Sequence, residues 1–148
     1  MDVLGSATLS KGVASLQTTA LAVGGHSITV VYGGDGNFLG TTSAVRSLTV
    51  KQDHTTTTLT ASSLTAAHGT AVTFTATVLP ATPGSGTPTG TVSFWQGSKL
   101  LQTVNLSGGV AQLTYSFSVI GTHKIKAVYN GDMDFVFSTS AVLSETIT

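Results

Sequence analysis

Cysteine is absent from this chain of 148 residues, which excludes disulfides, thiolate metal sites and cysteine nucleophiles together. It leaves the redox compartment open, since a fold without thiols serves in any of them. Charge is also scarce. Asp, Glu, Lys and Arg make up 8% of the sequence, where about a quarter is usual. Six cations balance six anions, so there is no basic stripe to displace counterions from a nucleic acid. For the same reason there is no polybasic patch for an anionic membrane surface. No run of about 18 apolar residues occurs, so no membrane span is expected. The opening MDVLGSATLS has neither the basic start nor the apolar core of a secretory leader. Proline appears three times, at Pro80, Pro83 and Pro88, all in one stretch.

Apolar residues make up 41% of the chain, enough for a core, and solubility must come from neutral polar side chains. Thr and Ser together supply about 30% of the sequence, and glycine adds 17 residues. Threonine is β-branched and suits a half-buried pleated surface. Composition therefore predicts an all-β protein.

The chain repeats itself at a shift of 97 residues, without a gap. LSKGVASL (9–16) meets LSGGVAQL (106–113), GGHSITVVYGGDGNF (24–38) meets GTHKIKAVYNGDMDF (121–135), and TTSAVRSLTV (41–50) meets STSAVLSETI (138–147). Residues 54–98 have no counterpart ahead of the first copy. The organisation read from this is the C-terminal half of one module over 1–52, with about four strands, and a complete module over 53–148. The polar run KQDH (51–54) marks the junction.

Within the complete unit the strand signals are dense. TTTLTA (56–61) opens it, and GTAVTFTATVL (69–79) alternates Val72, Phe74, Ala76 and Val78 with threonines, the period of two of a strand with one wet face. PATPGSGTPTG (80–90) is a turn-rich loop. TVSFW (91–95), LLQTVNL (100–106), VAQLTYSF (110–117), HKIKAVY (123–129) and TSAVLSETI (139–147) follow. Seven short strands at spacings near ten residues predict an antiparallel β-sandwich.

TPTGTVSF, GGVAQL, GTHKI and YNGDMDF stand in order and at the right spacing, and in them residues 55–148 resemble one module of the bacterial immunoglobulin-like repeat domains. Residues 3–50 resemble the second half of the same module. The resemblance implies an immunoglobulin-like sandwich, extracellular or on the bacterial cell surface. It also implies neighbouring Ig-like modules in tandem, and a role in spacing or presenting domains or in binding a glycan or a surface protein.

The candidate chemistry is sparse. His123, and His26 in the first copy, fall at the start of a strand where immunoglobulin-like folds often place a tyrosine tied to the corner backbone. A satisfied corner histidine and a reactive one are the alternatives. Asp132 and Asp134 in GDMD, like Asp35 and Asn37 in GDGN, put two oxygen side chains one residue apart. They form either an Asx turn or part of a calcium site, though calcium wants six to eight oxygens. Trp95 should face solvent or the rim, because Val92 and Phe94 point inward, and with Tyr115 it could stack on a sugar ring. GGHSIT breaks the G-x-S-x-G elbow at Thr29, so an esterase-like Ser/His/Asp site would have to be assembled from separate loops. No resident cofactor is implied beyond a possible calcium ion.

The half-module raises a separate expectation. Leu9, Val13, Leu16, Ile28, Val30, Tyr32 and Phe38 lose the sheet that would cover them, leaving apolar surface and open strand edges. A homodimer through residues 1–52, or completion by exchanged strands, is expected.

Overall fold

Strands alternate with turns throughout the computed structural model, which describes residues 2–148. Among those residues there is no helix, so none is long and apolar enough to cross a membrane. The chain divides into two units, one ending at Lys51 and the other running over Gln52–Thr148.

The first unit holds β1 (Gly24–Ile28), β2 (Val31–Tyr32), β3 (Thr41–Thr42) and β4 (Arg46–Val50). β1 pairs with β4 and β2 with β3, both antiparallel.

The second unit holds β5 (Thr55–Ala61), β6 (Thr65–Ala66), β7 (Ala71–Pro80), β8 (Thr91–Gln96), β9 (Lys99–Asn105), β10 (Val110–Ser116), β11 (Gly121–Tyr129), β12 (Ser138–Thr139) and β13 (Leu143–Ile147). One sheet has the order β10-β7-β5. The other has the order β6-β13-β11-β8-β9, with β12 also on β11. All pairings are antiparallel except the two-residue ladder of β6 on β13. Alternation decides which side chains go between the sheets. Val72, Phe74, Ala76 and Val78 of β7 meet Val92 and Phe94 of β8 and Ile125, Ala127 and Tyr129 of β11, all buried. The module is an immunoglobulin-like antiparallel sandwich. β6, two residues long and bounded by Ser63 and His68, gave no periodic signal in the sequence.

The first unit departs from expectation in where its strands lie. All four fall within residues 24–50, and residues 2–23 hold an isolated bridge between Ser10 and Val13 but no strand. In the second unit the counterparts of residues 2–19 are β9 and β10, whose ladders run to β8 and β7. Those partners have no counterpart within residues 2–51, so the same pattern finds nothing there to pair with. None of the described residues of the first unit is buried.

Candidate functional site

The two most distinctive motifs of the sequence, TPTG and YNGD, come together at one end of the second unit. Asp132 sits in the loop after β11. Its Oδ1 accepts the backbone N–H groups of Asp134 and Phe135 at 2.9 and 2.8 Å. Its Oδ2 accepts the backbone N–H and the hydroxyl of Thr89 at 2.8 and 2.6 Å. Gly90 closes the contact, since a Cβ there would stand 2.9 Å from the carbonyl oxygen of Gly131. Its φ of +86° is left-handed, which also calls for glycine.

Four donors saturate a carboxylate. Burial alone would raise the pKa of Asp132, but the bonds from Thr89 and from the Asp134 and Phe135 amides outweigh it and hold the acid at about 2. Asp134 is exposed and contributes its backbone to this turn, not its carboxylate. Among the described residues no three His, Asp or Glu side chains converge as metal ligands. Asp132 and Asp134 therefore form an Asx turn stapled to the loop before β8. An open cleft of about 470 Å³ beside it is lined by Gln52, Asn130 and Phe137 among others, and the Gln52 amide is spent on the Asp132 carbonyl at 2.8 Å.

The first unit repeats this turn without its staple. Asp35 Oδ1 accepts the N–H groups of Asn37 and Phe38 at 2.8 Å each. With no counterpart of Thr89, Oδ2 takes the hydroxyl of Tyr32 at 2.9 Å. The Asn37 and Tyr32 bonds, then that of Phe38, hold the Asp35 carboxyl below its ordinary value. Tyr129, the equivalent of Tyr32, is buried with its hydroxyl unpartnered. Burial, and the carboxylate charge of Asp132 nearby, push its phenol pKa up.

His123 opens the inward face of β11. Its Nε2–H donates to the Val119 carbonyl at 2.8 Å, and its Nδ1 accepts from the Gln96 amide at 2.8 Å. The ring stacks on Phe117 at 4.3 Å. Both nitrogens are occupied, which suits a positioned corner residue and leaves no free base for a nucleophile. His26 repeats the first bond, donating to Ala22 at 2.7 Å. Gln96 was not singled out from the sequence, although alternation from Val92 through Phe94 places it inward.

Trp95 lies on the outer face of β8, half-buried, opposite Lys126 of β11. The same face carries a polar row, in which Ser93 reaches Thr103 at 3.0 Å and Asn130 bonds Thr91 at 2.8 Å. Tyr115 does not join it. It shares the inward parity of Ala111 and Leu113 on β10, in the other sheet, and packs edge-on against Phe117 at 5.0 Å. Simple alternation along VAQLTYSF already separates Tyr115 from an outward Trp95.

The chain was compared with known proteins. The family model for the bacterial Ig-like domain (group 3) matches residues 1–51 and 59–148. Among solved structures, the fibronectin(III)-like modules of Clostridium thermocellum CbhA align at 21% identity and a TM-score of 0.46, covering 62% of this chain and 93% of that one. The comparison with curated proteins found no match.

Proposed function

The chain belongs to the bacterial Ig-like domain family (group 3), and from that premise we propose that it is a non-catalytic spacer in a tandem array on an extracellular or cell-surface protein. The observation that supports this reading is how the reactive side chains are spent. Asp132 is consumed by four internal hydrogen bonds and His123 by two. Such groups fix loops and corners. They do not offer a proton or a ligand position to a substrate. The uncovered apolar residues of the first unit support pairing with a second copy of this chain through residues 1–52.

A second reading is favoured by one specific observation, the partly exposed Trp95 beside Lys126 and a row of Ser, Thr and Asn on one sheet face. An indole can stack on a sugar ring while hydroxyls and amides bond its edge. A glycan array probed with the wild type and with Trp95→Ala decides between the two. The spacer reading expects neither to bind. Binding by the wild type that is lost in Trp95→Ala would replace it with a carbohydrate-binding module.

A further inference from the structure

Glu145 is the only glutamate in the chain, and it is fully buried. It stands in the middle of β13 with Ile147, facing the core, and neither carboxyl oxygen has a hydrogen-bond partner. Its cross-strand neighbour on β11 is His123, whose nitrogens are already committed to Val119 and Gln96. A buried carboxylate without partners is among the least favourable groups a core can hold, and neutralising it removes most of the penalty. The first unit shows that the position does not need it. There Leu48 occupies the equivalent place on β4, opposite His26.

We propose that Glu145 is a proton-operated latch on β13, which makes the second unit firmer in mildly acidic medium than at neutral pH. The titratable groups on the surrounding elements are few. His123 faces it from β11, whose Lys124 and Lys126 lie on the opposite face of that strand. The loop after β6 carries His68, exposed and bonded to the Ser118 carbonyl at 3.2 Å. β10 carries Tyr115, and β5, β7 and β8 bring no titratable side chain. Burial raises the pKa of Glu145, and the proximity of His123 lowers it by less. An acid whose pKa is raised by folding binds its proton more tightly in the folded state. The stability it contributes is fully present below the unfolded value of about 4.3, and it is lost as pH rises through the folded value. Ionisation strains β13 first, because its outer neighbour β6 holds it over two residues, Thr65 and Ala66.

Labelling glutamate with carbon-13 at the carboxyl gives a single resonance in the full chain, and its titration reads the latch directly. The expected midpoint lies above that of an exposed glutamate, together with faster amide exchange over β13 at neutral pH. Denaturant unfolding followed by Trp95, the sole tryptophan and a reporter of this unit, supplies the second reading. The unfolding constant of the wild type should rise on the order of tenfold between about pH 4.5 and 7.5. Glu145→Gln and Glu145→Leu should lose that part of the slope. A carboxyl resonance that titrates at the ordinary glutamate value would overturn the proposal, whether or not either variant folds. So would a slope that persists in a folded variant.

Discussion

At the scale of single residues, the same tyrosine and aspartate are wired differently in two copies of one sequence. Tyr32 donates to Asp35, whereas the Tyr129 hydroxyl has no partner and Asp132 Oδ2 takes the N–H and the hydroxyl of Thr89 instead. A sign reversal follows. In the wild type Tyr129→Phe removes an unpartnered buried hydroxyl and should be neutral or slightly stabilising. In a Thr89→Ala background Oδ2 keeps the backbone N–H of residue 89 but loses the hydroxyl; the acceptor position this frees becomes available to Tyr129, and Tyr129→Phe should then cost about 1 kcal/mol. Denaturant midpoints for the four members of this cycle check it, and additivity would show that Tyr129 never reaches Asp132. Asp132 itself sets the acid limit. Its folded pKa of about 2 lies below the unfolded value, so its contribution is present above about pH 4 and disappears as pH falls through about 2. Solvent screening at this loop holds that contribution to on the order of 1–2 kcal/mol. Asp132→Asn should flatten Trp95-detected stability between about pH 4 and 2. Glu145 acts with the opposite sign above about pH 4, so the second unit should be most stable in mild acid.

At the scale of elements, the division between what was legible and what was not follows the range of the interactions. The alternation in β7 named its inward residues correctly, because period two is a property of the strand alone. The Asx turns and the corner histidines were readable as one of two alternatives each, being closed by residues within four positions. Both copies also share a serine device. Ser43 Oγ accepts the N–H of Val30, and Ser140 Oγ that of Ala127, at 3.0 Å in each case. That local link survives even where no core exists. Pairing is different. Residues 2–19 carry strand-like sequence, yet they form no strand without the equivalents of β7 and β8, since a lone extended segment leaves its backbone groups to water. The Thr89 staple and the orphaned Glu145 were hidden for the same reason. Each depends on a partner that sequence spacing does not place: Thr89 lies 43 positions from Asp132, and what is missing around Glu145 is a partner at all.

At the scale of the whole molecule, the first unit is a sheet fragment whose counterpart shows what it lacks. Ile125, Tyr129, Phe135 and Ile147 are buried under the strands of residues 53–98, while Ile28, Tyr32, Phe38 and Val50 at equivalent positions are not. Burying an aliphatic or aromatic side chain of this kind contributes about 1.5–3 kcal/mol. Four such residues, with the ladders to β7 and β8 restored, are therefore enough to separate a folded module from a loose one. Placing a second copy of residues 52–98 directly ahead of residue 2 supplies those strands at the distance the repeat dictates. The extended chain should gain slow amide exchange over residues 2–50, bind less of an apolar dye, and sediment as a monomer where the original chain self-associates. If residues 2–23 remained unprotected in the extended chain, the missing half would not be what keeps them out of the sheet. If the original chain were a monodisperse monomer with an ordered first unit, its apolar face would need no partner, and the proposed strand exchange between copies would fail with it.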